Sequence, residues 1–200
     1  MPSVQDWQKL MTAWNQAILQ SRFRERLPID LLQKGWLGRP GASQEQIEQL
    51  QQRLGGVRLP PSYQTFLAFT NGWDGRLTQF IKGLWPSDSV SWYSEKSSDL
   101  IEAWFIGETN NYTRPLMTIS DEDYLVYGEM QYTFRIRSEY LKTALEISAI
   151  DDDGQILLLN PKIITEDGEW EAWFFAPWMP GAKRYRTFWE LMQAEYQDFL

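Results

Sequence analysis

Two Asp-Gly dipeptides, Asp153-Gly154 and Asp167-Gly168, each stand between apolar runs of strand length. A tight antiparallel turn needs positive φ and a short polar side chain, and Asp-Gly supplies both. Segments 145–150 and 155–160 flank the first pair, and 163–165 and 169–175 flank the second. The spacing predicts two consecutive hairpins over 145–175, and with them an antiparallel sheet in the second half. Four earlier runs, 100–107, 114–119, 123–128 and 131–137, are rich in aromatic and β-branched residues and predict further strands with one wet face. The last alternates Tyr132, Phe134 and Ile136 against Thr133, Arg135 and Arg137.

Elsewhere the period is helical. Val4, Trp7, Leu10, Met11, Trp14 and Ile18 recur every three or four residues behind Ser3, with Asp6 placed to complete a capping box. Segment 21–42 is broken repeatedly by Pro28, Gly35, Gly38, Pro40 and Gly41 and predicts a connection. Ser43 and Gln46 open a second helix with an Ile47, Leu50 and Leu54 stripe, closed by Gly55-Gly56. Leu59-Pro60-Pro61-Ser62 opens a third, with Tyr63, Phe66 and Leu67 inward and Asn71-Gly72 as its stop. A last helix starts at Thr187-x-x-Glu190 and turns Phe188, Leu191, Met192, Tyr196 and Phe199 inward. Helices first, strands in the middle and a closing helix predict an α+β domain: a mainly antiparallel sheet of about six strands flanked by helices at both ends. Residues 1–40 read as a weakly tied helical extension and 41–200 as the domain proper.

With no Cys and no His among 200 residues, disulfides, thiolate nucleophiles, Ser-His-Asp triads and His-ligated metals are all excluded. No stretch reaches the ~18 apolar residues that cross a bilayer, which excludes a membrane-spanning reading, and the acidity of the second half repels anionic lipid and so argues against a membrane partner. The start lacks a basic segment followed by an apolar core, so the expected location is the cytoplasm. The net charge of -8 divides unevenly: residues 1–100 hold 11 Lys+Arg against 9 Asp+Glu, residues 101–200 hold 8 against 18. Acidity of that kind repels nucleic acid and hastens encounter with a basic protein.

The run Ser43, Ile47-Glu48, Leu50, Leu54-Gly55, Leu59-Pro60-Pro61-Ser62-Tyr63, Phe66-Leu67 and Thr70-Asn71-Gly72-Trp73 resembles the signature of the SUKH superfamily. That superfamily groups a yeast cell-wall-assembly regulator with many bacterial toxin-immunity proteins. The tail is similar as well, in Ile156-Leu157-Leu158-Leu159-Asn160-Pro161, Asp167-Gly168-Glu169-Trp170-Glu171 and the aromatic helix from Phe188. The resemblance covers roughly residues 40–200. It implies an α+β binding domain, not an enzyme, that neutralises or regulates a protein partner such as a secreted toxin. The extension through Gly38 is a departure from the family core.

Several clusters invite a functional reading. Leu59, Pro60, Asn71, Gly72 and Trp73 read as structural: a helix entry, then a helix end followed by a core aromatic. Asp151-Asp152-Asp153-Gly154 fails as a calcium loop, because with Gly154 at the sixth position Ala149 and Asn160 fall where acids are required. No metal or cofactor is expected. Eleven Trp permit a sugar platform or a weak hydrolase with Glu169 and Glu171 as paired carboxylates, although strand alternation places Trp170 in the core. The acids Asp121, Glu122, Asp123, Glu129, Asp151, Asp152, Glu169 and Glu171, with Tyr124 and Trp173, read either as a solvated rim or as a docking face for a basic partner. Loops 86–98 and 107–114 are further places for specificity.

Overall fold

The computed structural model describes residues 1–110, 119–151, 153–176, 178–179 and 181–200. The first helix, α1 (Val4–Gln20), is capped as its sequence predicts: the Ser3 hydroxyl accepts from the Asp6 amide while the Asp6 carboxylate accepts from the Ser3 amide. A 3-10 turn (Arg22–Arg26) and the short α2 (Ile29–Lys34) follow. The same reciprocal box, Ser43 with Gln46, opens α3 (Gln44–Arg53), and Pro61 starts α4 (Pro61–Phe69).

Five strands form one sheet in sequence order: β1 (Ser91–Trp92), β2 (Leu145–Glu146), β3 (Ile156–Ile164), β4 (Trp170–Ala176) and β5 (Gly181–Tyr185). Every neighbouring pair is antiparallel. The predicted hairpins are there. Leu145 pairs with Leu159 across the first turn and Leu158 with Trp173 across the second, where the Thr165 amide donates to the Glu169 carbonyl. Pro161 lacks an amide hydrogen, and the β3–β4 register shifts between Asn160 and Ile164.

Both faces of the sheet are covered. On one, Leu157, Leu159, Trp170, Ala172 and Phe174 join α1, α3, α4 and the closing helix α8 (Phe188–Phe199) in the main core. Trp7, Met11, Trp14 and Ile18 of α1 are fully buried there, beside Leu54, Phe66 and Trp73. The weak attachment expected for residues 1–40 is therefore corrected: α1 is a wall of the main core. On the other face Ile156, Leu158, Trp173 and Phe175 meet Tyr93, Ile101, Tyr124, Ile136 and Leu141 in a second cluster.

That second cover holds most of the departures from the sequence reading. Segment 100–107 lies within a helix, α6 (Ser98–Asn110), which follows the short α5 (Tyr93–Lys96). Its buried or half-buried Ile101, Trp104 and Phe105 are spaced for a helix face, and that spacing outweighs aromatic β-propensity. Segment 123–128 begins in the one-turn α7 (Asp121–Tyr124) and reaches a 3-10 turn (Gly128–Met130). Segment 131–137 is irregular, and Tyr132 and Phe134 face solvent while Ile136 is buried, which is not the alternation of a strand. Of 114–119 only Ile119 lies within the described residues, and of loop 107–114 only 107–110.

Candidate functional site

The Asn71-Gly72-Trp73 signature does more than stop α4. The helix ends at Phe69 with Thr70 as its cap, and Asn71 is free to accept from the Ser87 amide at 2.7 Å. Gly72 sits at φ 97, where a Cβ would come within 2.8 Å of the Pro86 nitrogen. Trp73 is buried edge-on against Trp36 and bridges Gly38 and Leu84. Leu59 and Pro60 are buried at the entry, with the Leu59 amide donating to Gln51 Oε1. Leu59 and Pro60 thus tie the start of α4 to α3, and Asn71, Gly72 and Trp73 join its end to the segment that leads into β1.

Glu169 and Glu171 do not form a pair. Glu169 caps α4, accepting from the Ser62 amide at 2.8 Å and the Ser62 hydroxyl at 2.6 Å. Burial pushes its carboxyl above the usual range, and the Ser62 bonds oppose that. Glu171 projects from β4 into the second cluster, fully buried. Its carboxylate accepts from Tyr124 Oη (2.8 Å), Tyr127 Oη (3.0 Å), Asn160 Nδ2 (3.1 Å), Trp173 Nε1 (2.6 Å) and Arg184 Nη1 (3.3 Å).

Arg184, on the next strand, is equally buried. Its guanidinium donates to the carbonyls of Tyr124 and Val126 and lies 4.1 Å from the Tyr124 ring centre. Gln131 exchanges two hydrogen bonds with the Arg184 backbone. A buried charge pair needs its remaining valences met, and here Asn160 and Trp173 of the sheet and a larger set of groups from 124–131 meet them. The ion pair thus clasps a stretch poor in regular structure to the sheet. Burial and the facing Glu171 carboxylate both push the Tyr124 and Tyr127 hydroxyls well above the ordinary phenol range, so they remain donors.

The expected docking residues therefore divide. Tyr124, Glu169, Glu171 and Trp173 are interior, because each is spent on a cap, a ring contact or the clasp. Asp151 is also buried, turned inward to accept from the Asp153 amide and to meet Arg76. These five are corrected from surface to framework. Asp152 lies outside the described residues. Asp121, Glu122, Asp123 and Glu129 are exposed. Asp121 pairs with Arg137 at 2.5 Å and Asp123 with Arg135 at 2.9 Å.

Between these acids the clasped stretch presents Leu125, Met130, Tyr132 and Phe134 to solvent, with Met130 77% exposed. The sequence reading missed Leu125 and Met130 and placed Tyr132 and Phe134 inward. The alternation of 131–137 mimics a strand, but the segment pairs with no neighbouring strand, so its period does not set which side chains turn inward. The tryptophans, by contrast, are mainly internal: Trp7, Trp14, Trp73, Trp170 and Trp173 are buried and Trp178 is exposed. The sugar platform built on Trp170 and Trp173 loses its surface.

Fold and site together define an α+β domain whose sheet is roofed on one face by α1, α3, α4 and α8 and on the other by α5, α6 and a clasped, acidic and apolar stretch. The SMI1 / KNR4 family (SUKH-1) matches the chain over residues 41–194, and the chain belongs to that family. No curated protein and no solved structure matches it. Among the described residues, no group of three or more acids is placed to hold a metal ion, and no helix is long and apolar enough to cross a membrane.

Proposed function

We propose that this chain is a non-catalytic binding domain of the immunity or regulatory kind, which neutralises or regulates a basic protein partner, such as a toxin, in the cytoplasm. In this reading residues 41–200 are the family domain and residues 1–40 an added helical wall. The observation that carries it is the exposed quartet Leu125, Met130, Tyr132 and Phe134, set among five acids and two arginines between 121 and 139. A clustered apolar centre with a charged rim is the usual anatomy of a protein interface. The rim acids Asp121, Glu122, Asp123 and Glu129 steer, and the apolar quartet holds. The clasp keeps the stretch in one shape before binding, which lowers the entropy cost of association.

The test is binding kinetics against the product of an adjoining toxin-like gene. Met130→Asp and Tyr132→Ala should raise koff, and replacing Glu122 and Glu129 by Lys should lower kon together with its salt slope. The salt scan runs from 0.01 to 0.15 M, over which the Debye length falls from about 30 to about 8 Å. Unchanged rates in all these variants would place the interface elsewhere. Turnover of a polysaccharide or nucleotide by the purified chain would overturn the non-catalytic part.

A further inference from the structure

On the face of the sheet away from the 121–137 surface, Glu195 of α8 is 5% exposed, and no donor among the described residues hydrogen-bonds its carboxylate. A carboxylate at this depth keeps only part of its hydration, so it gains from a donor brought into the space it faces. Glu195 lines a cavity of about 260 Å³ between α8, the 3-10 turn after α1 and β5. Its walls are aromatic: Phe23, Phe80, Phe174, Trp178 and Phe199. The nearby cations do not close on the carboxylate. Lys183 is held by Asp198 at 3.3 Å, and Arg22 is an exposed residue of the lining that lies beside the Phe23 ring.

We propose that this cavity binds a small organic cation, an amine or amidine on a short apolar body, with its charged head on Glu195 and its body between the aromatic rings. The chemistry follows from what the cavity lacks and what it offers. A charge-assisted hydrogen bond satisfies the carboxylate, and ring faces attract a desolvated cation. The volume lies just under the ~300–1,000 Å³ of drug-sized sites, so one small molecule fits and a large one does not.

Titration calorimetry with benzamidine and phenethylammonium, against neutral benzamide and phenethyl alcohol, tests the site on the full chain. Both cations should bind one to one at pH 8, about tenfold or more tighter than their neutral counterparts. Burial chiefly, with Asp198 adding and Lys183 opposing, holds the Glu195 carboxyl near pH 7. Tyr185 on β5 and Arg22 complete the ionisable surroundings; the Tyr185 phenol, pushed up by burial and by Glu195, stays neutral. Protonating Glu195 should then remove most of that tenfold advantage between pH 8 and pH 5.5, a loss of about sevenfold. Glu195→Gln should reduce the cations to the affinity of the neutral analogues while circular dichroism stays unchanged, and Trp178→Ala should weaken cations and neutral analogues alike. Absence of cation binding at millimolar ligand, equal binding of charged and neutral analogues, or undiminished cation binding by Glu195→Gln would each overturn the proposal.

Discussion

Glu195→Gln is also the sharpest probe of stability, because the amide imitates the protonated acid and cannot ionise. Burial raises the carboxyl from its ordinary 4.5 to about 7 in the folded chain. Below pH 4.5 both folded and unfolded chains carry the proton, and the two proteins should unfold alike. Between pH 4.5 and 7 the unfolded chain releases the proton while the folded chain keeps it, so native stability falls as pH rises. Above pH 7 the full cost is present. A shift of about 2.5 units at ~1.4 kcal/mol each amounts to about 3 kcal/mol, which Gln should recover at pH 8. Urea titrations followed by tryptophan fluorescence at pH 4, 6 and 8 measure it as a shift in midpoint at constant slope. Glu146 and Glu169 also have carboxyls raised by burial, but they contribute to both proteins and cancel in the difference. A gap between the proteins that is the same at pH 4 and pH 8, or that narrows with rising pH, would refute the reasoning.

Three further outcomes are expected. Glu171→Ala should cost ~3–5 kcal/mol in urea unfolding, since it strands the buried Arg184, and the loss should exceed that of removing both charges together in Glu171→Leu with Arg184→Met. Phe66→Ala should cost ~3–5 kcal/mol in the same assay, because its ring sits at the junction of Trp7, Tyr63 and Phe188, and a loss below ~1 kcal/mol would mean α4 does not pack there. Gly72→Ala should lower the thermal midpoint, since it combines positive φ with an overlap on Pro86, whereas Gly35→Ala, at φ 65 with open space around it, should cost less.

Local rules made α1, α3, α4 and α8 legible, because a cap and a repeating stripe are written within one segment: Ser3 with Asp6, Ser43 with Gln46. The hairpins were legible for the same reason, since Asp167-Gly168 states its own turn. What failed was the second cover of the sheet. Tyr124 is buried because Glu171, 47 residues away, accepts its hydroxyl, and Arg184 is buried because the Tyr124 and Val126 carbonyls accept from it. No window of sequence contains such a pair. The same cause hid the fate of the candidate acids. Glu169 and Glu171 are two positions apart, yet one caps a helix on the first face and the other anchors the clasp on the second. A carboxylate chosen by residue type looks the same whether solvent or a buried guanidinium awaits it.

The placement of α1 bears on how the chain is made. Trp7 packs edge-on against Phe66 and at a tilt against Phe188, and its indole donates to the Ser62 carbonyl. Translation at ~5–20 residues per second delivers α8 roughly 10–40 s after α1. Throughout that interval Trp7, Met11, Trp14 and Ile18 have no complete core to enter, although the β3–β4 hairpin can zip as soon as it emerges. A nascent chain of this kind carries an uncovered indole stripe until α8 arrives to cover it.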